Sequence, residues 1–368
     1  MEVVIQMENK ILELLSKKKN VIIMGAPGTG KSRIINEICE KFEKNTASIQ
    51  KPAHEVGATV PIPAVRTSGN TLEFLKKKNR KVFRTTLHQN SKYRDFLTGI
   101  VPIPNGSGGF QINEGILYRA NEFAKQEDSA ALLVIDELNR GPAVEVFGGS
   151  IVAIESDKRL SSDNGILPMT QTFEIVDPVD GKLVEYAFSP NLYILAAMNQ
   201  ADVSVAPLDV AFLRRWQPFR LKPDYVCLEK HFNINTNDNV PEVPTTNSDV
   251  YLAAVKALIK INKRIFVGRG ADYQLGQGVF LSTKPSGDSV DKALEFVCEV
   301  WDMIFAHIEE LFFGDAISIS YVVNANNSLS PYELEEVSFA GEIKTILTHE
   351  EIDKTNIYDL YRAIGEEN

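Results

Sequence analysis

Residues 21–32 read VIIMGAPGTGKS, and this stretch decides the fold. Its first part, VIIMG (21–25), is short, apolar and β-branched, the pattern of a strand buried on both faces of a parallel sheet. Gly25, Ala26, Pro27, Gly28, Thr29, Gly30, Lys31 and Ser32 then match G-x-x-x-x-G-K-[ST]. Each residue type has a physical reason. The glycines let backbone N–H groups curl around α- and β-phosphates, and a helix starting near Lys31 adds the positive end of its dipole. Lys31 neutralises the β- and γ-phosphate oxygens, and the Ser32 hydroxyl ligates Mg2+. A glycine turn that happens to precede Lys-Ser is the plain alternative. Strand, glycine loop and helix in that order are the context a P-loop requires.

Outward from this stretch, strands and helices alternate. Apolar positions at helical spacing over residues 3–18 predict an amphipathic helix. Residues 45–72 are weakly periodic and read as an irregular insertion. VFRTTLH (82–88) predicts a strand, 114–127 a helix, and ALLVIDE (131–137) a second fully apolar strand that ends in paired acids. Residues 143–155 read as a helix. TFEIVDPVDGKLVEYAFS (172–189) alternates on both sides of an Asp-Gly turn, which predicts a β-hairpin before the strand NLYILAAMN. PLDVAFLRRW (207–216) reads as a short helix and QPFRL as a final strand. Such alternation predicts an α/β fold with a parallel sheet flanked by helices. Composition changes after about residue 223. A polar stretch (233–249) precedes helical patterns at 250–266 and 288–312, so a smaller helical domain is expected. The predicted organisation is an N-terminal helix (1–20), an α/β nucleotide-binding domain (21–223) and a mainly helical lid and C-terminal domain (224–368).

With 368 residues, 44% of them hydrophobic, the chain can build a real core. No run approaches the roughly 18 apolar residues of a membrane span. The N-terminus carries scattered charges and lacks the regions of a signal peptide. Cys39, Cys227 and Cys298 form no CxxC pair, which fits a reducing cytoplasm and argues against a zinc site. A net charge of −10 argues against nucleic-acid binding by this chain alone. KKKNRKVFR (76–84) is the local exception, and reads as a solvated loop and helix end.

Asp136 and Glu137 close an apolar strand, where a carboxylate is costly unless it has a role or a partner. With the P-loop in the same chain, Asp136 is expected in the Mg2+ shell. Glu137 is expected as the base that orients the attacking water. Ligands of open parallel sheets sit at the carboxyl ends of the strands, where Asn199 also falls. Its amide would hold the lytic water or a γ-phosphate oxygen; an Asx-turn that stops the strand is the plain alternative. Asp202 would position a basic group from a neighbouring subunit, or begin the next turn. Arg214 and Arg215 suit a helix C-terminus and equally suit an arginine finger reaching a neighbouring subunit.

GAPGTGKS, LLVIDELNRG, ILAAMNQAD and PLDVAFLRRW together resemble the AAA+ superfamily. More narrowly, the chain resembles the McrB motor subunits of modification-dependent restriction systems. LHQNSKYRDFLTGIVP (87–102), ADYQLGQGVFL (271–281) and VWDMIFAHIEELFFGD (300–315) support the narrower likeness, which runs from about residue 20 to 320. The resemblance implies a ring, hexameric in that family's pattern, with nucleotide at subunit interfaces. It also implies GTP hydrolysis stimulated by an McrC-like nuclease subunit, with nucleic acid reached through partner subunits. Lys31, Ser32, Asp136, Glu137 and Asn199 would form the site in one subunit, and Arg214, Arg215 or Arg140 would act from the next. Tyr93 and Asp95 match the family motif without an assigned step. Val203 stands where the family stretch usually continues with Arg. The short stretch before the first strand suggests a motor without its own domain for reading modified DNA. Guanine against adenine stays open, because these motifs hold phosphates and Mg2+ and not the base. The competing readings are a MoxR-like ATPase that remodels protein partners, and a scaffold that binds nucleotide only to assemble.

Overall fold

The computed structural model describes residues 2–44, 72–103, 108–199, 208–281 and 289–366. The predicted insertion at 45–72 (but for Leu72), together with Asp202 and Val203, lies outside the described residues. Among the described residues the chain divides into two compact units. One holds Met1–Met24, Ser32–Met198 and Asp202–Arg220, and the other Gly25–Lys31, Asn199–Ala201 and Leu221–Asn368.

In chain order the first unit is built on α1 (Glu2–Lys18), β1 (Asn20–Gly25), α2 (Lys31–Glu43), β2 (Asn79–Thr86), α3 (Tyr93–Phe96), β3 (Thr98–Pro102), β4 (Phe110–Glu114), α4 (Ile116–Lys125), β5 (Ser129–Asp136), α5 (Ala143–Phe147), β6 (Phe173–Val176), β7 (Leu183–Tyr186), β8 (Leu192–Met198), α6 (Val210–Leu213) and β9 (Gln217–Leu221). Five strands form one sheet in the order β2-β5-β8-β1-β9. The pairs β2–β5, β5–β8 and β1–β8 run parallel. After β1 the chain crosses to the far edge at β2, works back through β5 and β8, and places β9 on the other side of β1. The order therefore reverses beside β1, the position where open α/β sheets bind ligands. Register sets Met24 opposite Met198, Ile135 opposite Ala196, and Asp136 opposite Thr86.

The central strands are apolar throughout because both faces are covered. Successive side chains point to opposite faces. Ile22, Met24, Leu133, Ile135, Ile194, Ala196 and Met198 join Leu117, Ala120 and Ala124 of α4 and the rings of Phe147, Phe212 and Trp216 in one core. The alternate residues Val21, Ile23, Leu132, Val134 and Leu195 are buried too, as are Ile11, Leu12 and Leu15 of α1. The ends of β1 and β8 that lie away from the P-loop are clamped by Arg159. Its fully buried guanidinium donates to the Ile154, Ser189 and Leu192 carbonyls and to Asn20 Oδ1. Desolvation lowers its pKa to about 9. Phe147 meets the rings of Phe96, Phe212 and Trp216 at centroid distances of 4.8, 5.3 and 6.1 Å. Phe147→Ala is expected to destabilise this unit by about 3–5 kcal/mol, by lost burial plus a cavity, read from chemical denaturation.

The second unit holds α7 (Tyr225–Phe232), α8 (Asn247–Gly268), α9 (Gly278–Leu281), α10 (Val290–Phe312), α11 (Ala316–Val323), the hairpin β10 (Tyr332–Phe339) and β11 (Glu342–His349), and α12 (Ile357–Gly365). A capping box of Thr246 and Asp249 starts α8, satisfying two backbone donors reciprocally. In α10 the buried residues Ala293, Phe296, Val297, Val300, Trp301, Ile304, Ile308 and Leu311 follow helical spacing and face α8 and α12 across one core.

Several expectations needed correction. The helix predicted over 143–155 stops at Phe147, because Gly148 takes φ +49° and 3-10 turns follow. The strand predicted at 82–88 starts earlier, at Asn79. The basic run is therefore partly the edge strand β2 and not only a solvated loop. The mainly helical C-terminal region also contains the β10–β11 hairpin.

Candidate nucleotide site

The P-loop begins where β1 ends. Gly28 and Gly30 have φ of +74° and +89°, a region open to glycine at no steric cost. Every carbonyl from Gly25 to Thr29 accepts a hydrogen bond. Lys31 Nζ donates to the Gly25 and Ala26 carbonyls at 2.6 and 3.0 Å, and Thr29 Oγ1 donates to Ala26 at 2.8 Å. The Pro27 and Gly28 carbonyls accept from the Gly276 and Gly278 N–H groups at 2.9 and 2.8 Å. The Thr29 carbonyl accepts from Gln277 Nε2 at 3.1 Å. Because the peptide unit is planar, a carbonyl fixed on one side turns the next N–H to the other. Among the described residues the N–H groups of Gly28, Thr29 and Gly30 donate to no group of the chain. Three such amides, directly before the N-terminus of the 13-residue α2, suit an anion. Lys31 and Ser32 open that helix. Asn199, half-buried, is the first residue beyond β8.

The acidic pair lies at the end of β5. Asp136 is half-buried, and burial raises its pKa while the nearby Arg84 guanidinium lowers it. Arg84 is itself held, Nη2 donating to Asn36 Oδ1 on α2 at 2.6 Å. Glu137 adopts the left-handed conformation (φ +53°, ψ +48°), uncommon for a residue with a side chain. This turn redirects the chain out of the sheet, while Leu138 enters the core. Among the described residues its Oε2 makes no hydrogen bond, and Arg140 Nε lies 3.4 Å from it. A sparsely populated backbone state at a strand end is a common mark of a functional position.

The two arginines after α6 differ. Arg215 has a buried side chain (8% exposed), its Nε 2.9 Å from Glu155 Oε1 and its Nη1 donating to the Ala211 carbonyl. Arg214 is exposed and, among the described residues, makes no ion pair. Tyr93 has a structural position: its hydroxyl donates to the Glu174 carbonyl at 3.1 Å, and its ring lies against Gly148. Asp95 is exposed on α3. Gly276, Gln277 and Gly278 belong to the stretch ADYQLGQGVFL and bond to the P-loop carbonyls. The sequence signal for them was a polar residue between two glycines, without a local indication of what they touch.

A family model described as an AAA domain matches residues 8–143. The EcoKMcrB subunit of a type IV methyl-directed restriction enzyme of Escherichia coli K12 is 28% identical over 216 residues, 58% of this chain and 38% of that protein. The chain is thus similar to an McrB-type restriction subunit and carries an AAA domain match. Component YdiS of the type II restriction enzyme BsuMI of Bacillus subtilis 168 is 27% identical over 237 residues, 60% of this chain and 61% of that protein. The chain spans less than two thirds of the length of either relative. The solved structure of C. elegans PCH-2 gives a TM-score of 0.35 at 11% identity, covering 83% of this chain and 69% of that one, a likeness that carries no argument. The parallel sheet, P-loop and AAA domain establish an α/β P-loop fold of AAA+ type. Among the described residues no helix is long and apolar enough to cross a membrane.

Proposed function

We propose that this chain is a ring-forming nucleoside triphosphatase, hydrolysing ATP or GTP, that drives an McrBC-like restriction complex containing a nuclease subunit. The observation that carries the nucleotide reading is the P-loop, whose carbonyls are all satisfied and whose three unpaired amides precede α2. The restriction reading rests on the two relatives, both components of restriction enzymes.

In this reading Gly25 to Ser32 bind the phosphates, and the Lys31 ammonium leaves its loop carbonyls for the β/γ oxygens. Among the described residues there is no group of three or more His, Cys, Asp or Glu able to hold a metal ion by itself. Ser32 and Asp136 would instead hold Mg2+ together with nucleotide and water, a usual arrangement for this ion. Bound Mg2+ would neutralise charge on the phosphate oxygens. Glu137 takes a proton from the attacking water and Asn199 orients that water. Arg214 is the better finger, since it is exposed while Arg215 is committed to Glu155. Removing one positioned donor commonly costs a large factor in turnover. Asn199→Ala is expected to lower kcat by about 10–100-fold with a smaller change in KM, read from steady-state kinetics.

Mass measurement with nucleotide tests ring formation, and affinity capture from the native host tests the partner. Recovery of a nuclease subunit supports the restriction motor; recovery only of non-nuclease protein partners supports the MoxR-like remodeller instead.

A further inference from the structure

We infer that Gln277, with Gly276 and Gly278, is a positioning strap that presets the P-loop for phosphate and sets nucleotide affinity. The inference rests on the P-loop reading above and deepens it. The strap lies 248 residues from the loop in sequence, yet three successive loop carbonyls, those of Pro27, Gly28 and Thr29, bond to its three successive residues. Fixing those carbonyls fixes three peptide planes, and with them the direction of the Gly28, Thr29 and Gly30 N–H groups. A loop that had to find this orientation on binding would lose affinity to the ordering cost.

The strap is itself held from both ends. Gln277 Oε1 accepts from the Asp224 N–H at 3.0 Å, just before α7, while its Nε2 serves Thr29. One amide therefore bridges the loop and the start of the helical region. On the other side, fully buried Asn262 of α8 grips Leu275. Its Oδ1 accepts the Leu275 N–H at 2.6 Å, and its Nδ2 donates to the Leu275 carbonyl at 2.8 Å and to the Tyr225 hydroxyl at 2.9 Å. Leu275 and Phe280, on either side of the strap, are anchored in the same hydrophobic core. The glycines are required by approach: a Cβ at Gly276 would overlap the Gly28 carbonyl group, and one at Gly278 would lie 2.8 Å from the Gly28 oxygen.

The test compares wild type, Gln277→Ala, Gln277→Glu and Lys31→Ala, using fluorescent ATP and GTP analogues with Mg2+, alongside thermal melting. Gln277→Ala is expected to weaken binding about three- to tenfold, the scale of one hydrogen bond. Gln277→Glu discriminates further. It has nearly the same shape and keeps an acceptor for Asp224, but sets a carboxylate against the Thr29 carbonyl. A merely structural residue would tolerate this near-isostere better than Ala. A positioning strap would not, and more than tenfold weaker binding is expected. Wild-type affinity in both Gln277 variants, with binding lost in Lys31→Ala, overturns the strap and leaves the P-loop reading standing. Wild-type protein that binds neither nucleotide overturns both.

Discussion

Glu137→Gln is expected to bind nucleotide as tightly as the wild type and to turn it over about 10²–10⁴-fold more slowly, the range for loss of a positioned general base. The separation of binding from turnover follows from the layout. In the proposed site Gly25–Ser32 hold the phosphates, whereas Glu137 sits at the end of a different strand, β5, and is turned out of the sheet by its left-handed backbone. Gln keeps the size and the hydrogen-bonding capacity but cannot take a proton at neutral pH. Binding is measured by titration and turnover by phosphate release. Near-normal turnover would remove Glu137 from the base role, and loss of binding would move it into the phosphate-holding set.

Arg214→Ala is expected to reduce turnover about 10³–10⁵-fold, the measured worth of an arginine finger, without lowering the melting temperature. Arg215→Ala should do the reverse. It removes a buried partner from Glu155 and from the Ala211 carbonyl, so its first effect is on stability. The distinguishing experiment mixes Arg214→Ala with Glu137→Gln. If sites are shared, some interfaces in a mixed ring pair an intact Glu137 with an intact Arg214, and part of the activity returns. Two inactive proteins that stay inactive on mixing would leave Arg214 without a role in trans. Full activity of Arg214→Ala would exclude it outright.

The parts of this molecule legible in the sequence are those where chemistry dictates residue type position by position. Gly28 and Gly30 take positive φ, and a strand buried on both faces must be apolar, as in β1, β5 and β8. The hairpin β6–β7 was readable for the same kind of reason, its alternation and Asp-Gly turn. The β10–β11 hairpin turns at Ala340 and Gly341, both with positive φ, a turn that matches strand twist. Its strands are glutamate-containing and mostly exposed, so no apolar face marks them in the sequence. The helix predicted after Pro142 failed because apolar spacing continued past Gly148 while the backbone could not. The strap had no local signature. Its meaning lies in where Gly276–Gly278 meet Pro27–Thr29, and long-range approach of that kind is not written in any window of sequence.

The most direct test of the central claim is steady-state hydrolysis of ATP and GTP with Mg2+ across a range of protein concentrations, with Lys31→Ala as the control and particle mass measured at each point. The expected result is turnover of at least one nucleotide, with specific activity rising as the chain assembles and falling to background in Lys31→Ala. Turnover by a monomer at constant specific activity, or turnover that survives Lys31→Ala, would contradict the account.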